Sequence, residues 1–168
     1  EFMTVFLSIL ALLLVLAALA ALYAGCRWAV VPAYLSLFPA WIASAKSLGD
    51  AATTLLFWGL AAAIVIGINV LLGKRVATQR LGLGYIVTAT VAGALVGIVM
   101  SPTWMVFGAV VGAVLGALAF SRTPAGKHLE FPNLRFFDYL CAKGLPTVVT
   151  VAIAAIAAFR AMVALQSL

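Results

Sequence analysis

The chain has 168 residues, 67% of them hydrophobic and 8% charged, with a formal net charge of +6. A soluble domain carries roughly 25% charged residues, so one domain of this composition lacks the polar surface to fold in water, and its mean hydropathy of +1.26 points to a bilayer. Its basic residues form no single tract but stand between apolar runs, which reads as charge bias across a membrane and argues against a nucleic-acid surface.

The first apolar run, 4–23, is rich in Leu and Ala and has no basic residue before it. A signal peptide has an apolar core of about 7–15 residues behind a basic start, whereas a crossing needs about 20. This run therefore reads as a spanning helix, with Met3 as initiator and Glu1 and Phe2 as a cloning remnant. Segment 28–45 is shorter and carries Pro32 and Pro39, with Trp28 and Trp41 near its ends. Each proline removes a backbone donor and kinks a helix, and Trp prefers the headgroup level. A re-entrant or broken helix is as well supported here as a full crossing.

A short polar turn follows at 46–50. Segment 51–73 is a strong span, closed by Lys74, Arg75 and Arg80. Segments 81–100 and 104–120 are separated only by Ser101, Pro102 and Thr103, so the two helices must turn back on each other and pack antiparallel. The stretch 121–135 is the longest polar one. After Pro132, residues 133–143 read as an amphipathic interfacial helix, with Leu134, Phe137 and Cys141 on one face and Arg135 and Asp138 paired at i, i+3 on another. The last segment, 144–165, has Pro146 in its first turn, where proline is tolerated. The expected fold is all-α: a polytopic transmembrane helical bundle of about five or six segments in one integral membrane domain, with a Gly-rich helical hairpin in its second half.

Small-residue spacing is the strongest motif. Ala89, Gly93 and Gly97 recur every fourth position in 81–100, and Gly108, Gly112 and Gly116 do the same in 104–120. Ala109, Ala113 and Ala117 follow one step around the second helix. In lipid no hydrophobic drive brings helices together, so close backbone approach over small residues supplies the packing. Membrane helices are Gly-rich in any case, but the strict register in two adjacent helices favours a helix-packing face. That face serves either the hairpin itself or a contact between copies in a homo-oligomer.

Ionisable groups inside a bilayer are functional suspects. Arg27, Lys46, Lys143 and Arg160 all lie within snorkelling reach of an interface. Arg160 is the deepest, about 24 Å along a helix from Gly144, and reads as an interfacial anchor or a pore group. Asn69, one turn inside Lys74, reads as an interhelical hydrogen-bond partner or a substrate contact. Asn69 and Arg160 are thus the candidates for a polar path. The threonines can satisfy themselves on their own helices.

No chemistry of a familiar kind emerges. His128 is the single histidine, and a metal site needs several ligands, so neither a metal nor another cofactor is expected. Asp50, Glu130 and Asp138 stand at no acid–base spacing, and neither GxSxG nor HExxH occurs. Gly82, Gly84 and Gly93 follow no strand and make no phosphate loop. Cys26 and Cys141 form no CxxC pair and read as small apolar fillers. No catalytic residue is assigned, and the chain is not expected to be an enzyme.

The second half nonetheless has a recognisable order. Gly73, Lys74 and Arg75 end one helix. A Gly-spaced hairpin broken by a Pro turn follows, and then come a charged loop and an Ala-rich final helix. This resembles a family of bacterial inner-membrane proteins of about this length with a glycine-zipper core and no assigned function. The likeness extends as a pattern over 5–165 and is most specific at 69–120. It departs from the family at Pro32 and Pro39, which stand where the family has a Pro-Gly-x-Pro cluster. Asn69 and residues 118–120 also replace frequent acidic positions. The resemblance implies the inner membrane and brings no activity or ligand with it.

Loops 74–80 and 121–135 share one side, because two helices separate them. They hold Lys74, Arg75, Arg80, Arg122, Lys127 and Arg135, which places that side in the cytoplasm. The side of residues 1–50 depends on whether the second segment crosses. The function expected is that of a non-enzymatic integral membrane protein packed or assembled through small-xxx-small helix faces, with membrane lipids as partners and a second copy as a further candidate partner. The alternatives are a small channel or transporter for an ion or small solute, and a lipid-handling protein for which 131–143 is the hint. Comparing 4–73 with 82–168 reveals no inverted repeat.

Overall fold

A computed structural model describes residues 2–23, 30–44, 48–76, 83–122 and 144–166. Among them the chain forms six helices: α1 (Phe2–Tyr23), α2 (Val30–Ser44), α3 (Leu48–Val76), α4 (Leu83–Ile98), α5 (Pro102–Ser121) and α6 (Leu145–Gln166). Three stretches, Phe2–Tyr23, Thr103–Ser121 and Leu145–Gln166, are long and apolar enough to cross a membrane. Shorter apolar helices cover Val30–Ala40, Ala52–Gly67 and Gly84–Ile98. The expected interfacial helix 133–143 lies outside the described residues.

α1 buries Ser8, Ala11, Val15, Ala18 and Leu22, in alternating steps of three and four, and so presents one narrow stripe inward. Phe6, Leu13 and Leu16 on its other side are exposed. An outward face this apolar suits hydrocarbon and no other solvent.

Of the alternatives for the second segment, the broken helix is not what forms, for α2 runs unbroken through Pro39. Pro32 falls in the first turn, where its missing donor has no helical partner to lose. Pro39 forfeits one bond, but Ala33, Leu37 and Ala40 are fully buried, and the packing on both sides holds the helix together. At 15 residues the helix is about 22 Å long, shorter than a hydrocarbon layer of about 30 Å. α3 starts at Leu48, within the stretch expected to be a turn. Asp50 then lies in its first turn.

Between α4 and α5 the chain turns through 99–101. Both Met100 N–H (3.1 Å) and Ser101 N–H (3.2 Å) donate to the carbonyl of Gly97. Ser101 is extended, as a residue before proline prefers, and its hydroxyl accepts from Trp104 N–H at 3.3 Å. α5 therefore begins at Pro102, earlier than the spacing predicts, with a serine cap and a proline at its first position. α4 and α5 make the most extensive contact of any two helices.

α6 is the centre of the bundle, touching all of the other helices. Small residues make this geometry feasible: Thr147, Thr150, Ala154, Ala157, Ala161 and Ala164 are buried along it. Val148, Val151 and Ala152 pack with Leu22, Ile86 and Phe120. Farther along, Ile153, Ala154 and Ala157 pack with Val15, Leu37 and Val65. Direction follows from three contacts. Tyr23 and Thr88 share a hydroxyl hydrogen bond of 2.9 Å, while Val15 and Ile98 line one crevice, so α1 and α4 run antiparallel. The Tyr34 hydroxyl donates to the Leu55 carbonyl at 3.0 Å and pairs α2 with α3 in the same sense. The Tyr85 and Phe120 rings, with centroids 5.9 Å apart, set the start of α4 beside the end of α5.

Candidate functional site

The positions singled out by spacing all stand where α4 meets α5. A Cβ at Gly93 would overlap the carbonyl of Gly108, and one at Gly108 the carbonyl of Gly93. At Gly97 it would come within 2.7 Å of the Trp104 carbonyl carbon, and at Gly112 within 2.8 Å of that of Ala89. At Gly116 it would lie 2.7 Å from the Tyr85 carbonyl oxygen and 3.0 Å from the Ala89 Cβ. None of these glycines has room for a side chain. Ala109, Ala113 and Ala117 turn the other way and are buried in the cluster that holds Val148, Val151 and Ala152. α5 thus offers one small face to α4 and another to α6.

Asn69 lies in α3, toward its Val76 end, and its side chain falls outside the described residues. Arg160 is half-buried on α6, about 9 Å along the helix from Gln166. The antiparallel order of the helices puts these positions toward opposite ends of the bundle, so the fold does not bring the two together. His128, Glu130, Asp138, Cys26 and Cys141 lie outside the described residues. Among the described residues no group of three metal-ligating side chains occurs.

Three buried hydroxyls are bound to their own helices. Ser36 donates to the Ala33 carbonyl at 2.5 Å, Thr90 to that of Ile86 at 2.6 Å, and Thr150 to that of Pro146 at 2.7 Å. Each bond satisfies a polar group that would be costly in hydrocarbon. Ser8 is fully buried, and its Oγ has no hydrogen-bond partner.

Two interhelical features escape a reading of the sequence. At Gly59 an added Cβ would stand 2.9 Å from the Tyr34 hydroxyl oxygen, so that glycine makes room for the bond from Tyr34 to Leu55. The only hint is a lone glycine in an apolar run. The second feature is the stripe of Ala and Thr on α6 at three- and four-residue spacing, whose signal in the sequence is that spacing alone.

Among the described residues, recesses open on the helical surface. A crevice of about 150 Å³ between α1, α4 and α6 is lined wholly by apolar residues, among them Leu19, Val91 and Ala155. A larger groove of about 570 Å³ lies along α4 and α5 and is bordered by Tyr85, Thr88, Ala92, Leu115 and Ala119.

The class that these features define is a helical membrane protein: an all-α bundle with span-length apolar helices and an outward surface of Leu, Phe, Val and Ile. Comparison with protein-family models, with curated proteins and with solved structures finds no match.

Proposed function

We propose that this chain is a multi-pass protein of a bacterial inner membrane, non-enzymatic, whose role rests on helices fastened through small-residue faces. The observation that carries this reading is the α4–α5 contact, where Gly93, Gly97, Gly108, Gly112 and Gly116 each sit too close to the facing backbone for any side chain. The glycine-zipper family that the chain resembles supports the same assignment.

All six helices enter the bilayer in this reading, alternating in direction. One end of the bundle then gathers Tyr23, Val30, Val76, Leu83, Ser121 and Leu145. Every Lys and Arg of the chain except Lys46 and Arg160 belongs to that end or to the links that leave it. The positive-inside bias makes this the cytoplasmic side. Phe2 and Gln166 are accordingly placed on the opposite side.

A packed interior lined by Ala, Val and self-bonded Thr favours assembly over conduction. Two measurements test this. The protein should stay in the membrane fraction after alkaline carbonate extraction, and vesicles containing it should hold a potassium gradient as tightly as empty ones. Release by carbonate would end the membrane assignment, and a protein-dependent potassium leak would replace assembly with a channel.

A further inference from the structure

The groove along α4 and α5 has a chemistry that helix packing does not require. Its volume is about 570 Å³, and it is largely open along its outer side. Small residues, Ala89 and Gly116 among them, form its floor. At Gly84 a Cβ would meet nothing within 4 Å, so that glycine borders open space and answers to no neighbouring helix. Ala92 and Ala119 are likewise exposed. From Gly84 to Ala92 the groove follows α4 for about 12 Å, with Leu115 on the opposite wall.

Polarity is graded along it. Toward the start of α4 the groove meets Tyr85, whose ring is half exposed, and Thr88, whose hydroxyl pairs with that of Tyr23 at 2.9 Å. Beyond Ala119 comes Arg122, exposed at the C-terminal cap of α5 with helical backbone angles. It follows Leu115 by seven residues, which at 3.6 residues per turn returns it to within about 20° of the same direction. Among the described residues, an apolar channel, a band of hydroxyls and a cation therefore succeed one another along one face. That is the order of acyl chain, ester region and phosphate in a phospholipid.

We propose that this groove binds an anionic phospholipid, with one acyl chain over the Gly and Ala floor and the phosphate at Arg122. Guanidinium matches phosphate through paired N–H donors, and anionic lipids populate the leaflet to which a basic end turns. The site rests on the membrane reading above. It adds a ligand class that the packing role lacks.

The test uses full-chain protein in detergent, titrated with dioleoyl phosphatidylglycerol or dioleoyl phosphatidylcholine, with bound lipid counted by native mass spectrometry. The glycerol lipid should bind about fivefold more tightly, the scale of one basic residue at an anionic surface. Arg122→Gln should abolish that preference and leave choline-lipid binding unchanged. Ala119→Phe, which fills the groove, should weaken both lipids, while Val111→Phe on an outward face should alter neither. Arg122 is exposed, so its variant keeps the test decisive even if Ala119→Phe fails to fold. Equal binding of the two lipids by the parent, or a preference that survives Arg122→Gln, would overturn the site. So would groove variants that turn a multimer into monomers with lipid binding intact, since a second copy would then occupy the groove. Carbonate extraction of the untitrated protein reads the membrane assignment separately, so the two failures cannot be confused.

Discussion

Gly93 and Gly108 lie opposite each other across α4 and α5, and a Cβ on either would overlap the backbone carbonyl of the other. Helix axes normally stand about 8–10 Å apart. Backbones that approach more closely gain dispersion and Cα–H···O contacts along the seam. Gly112, one turn farther along α5, faces Ala89 and Thr90 in the same way. Gly112→Ile should therefore destabilise the protein by about 1–3 kcal/mol as overpacking. Its neighbour Val111 is exposed, and Val111→Ile should change little. Melting of the two variants in the same detergent decides the matter, and equal midpoints would mean that the glycine register has no packing role.

The bond from Tyr34 to the Leu55 carbonyl should be worth less. Interhelical hydrogen bonds in membranes average about 0.6 kcal/mol, so Tyr34→Phe should lower stability by about that amount. Gly59→Ala places a methyl 2.9 Å from the same hydroxyl oxygen and should cost more. In the double variant the hydroxyl is gone and the penalty of the alanine should shrink, giving a clear departure from additivity. Additive losses in a thermal-melt cycle would show that the two residues do not communicate.

A third expectation concerns the central helix. Ala157 is fully buried on α6, whereas Met162 is 54% exposed. Ala157→Leu must push apart several helices at once and should destabilise by about 1–3 kcal/mol or more. Met162→Leu keeps volume on an outward face and should be nearly neutral. If α6 were peripheral, the two variants would unfold at similar temperatures in a detergent melt.

Topology gives the fourth. With Cys26 and Cys141 replaced, single cysteines at Gln79 and Gly126 should resist a membrane-impermeant thiol reagent in intact cells. A cysteine at Thr103, beside the α4–α5 turn, should react. Because α1 runs antiparallel to α4, a tag ahead of Met3 should be reached from the same side as Thr103. Labelling at Gln79 from outside would reverse the whole orientation.

Local patterns make part of this molecule legible in its sequence. Hydropathy over windows of about 20 residues marks the apolar helices, and helix-breaking chemistry at Ser101 and Pro102 marks the turn between α4 and α5. The four-residue register of Gly93, Gly97, Gly108, Gly112 and Gly116 is equally visible. Local rules also mislead. Pro39 reads as a break, yet α2 passes through it, because burial of Leu37 and Ala40 outweighs one lost backbone bond. The stretch 46–50 reads as a turn because it is polar, while α3 begins at Leu48 and takes in Asp50.

By itself, then, the sequence determines that the chain is helical and suited to a bilayer, and where its small residues recur. Only the tertiary structure decides that α6 lies at the centre, that Gly59 accommodates Tyr34, that Asn69 and Arg160 lie toward different ends, and that a groove opens beside Leu115 and Ala119. The reason is physical. In a soluble protein the apolar stripe of a helix announces which face is buried, because water rejects it. In hydrocarbon both faces are apolar, and a lipid tail solvates Leu as well as a neighbouring helix does. What distinguishes an inner face is closeness of fit between residues far apart in the chain, and that exists only once the helices have met.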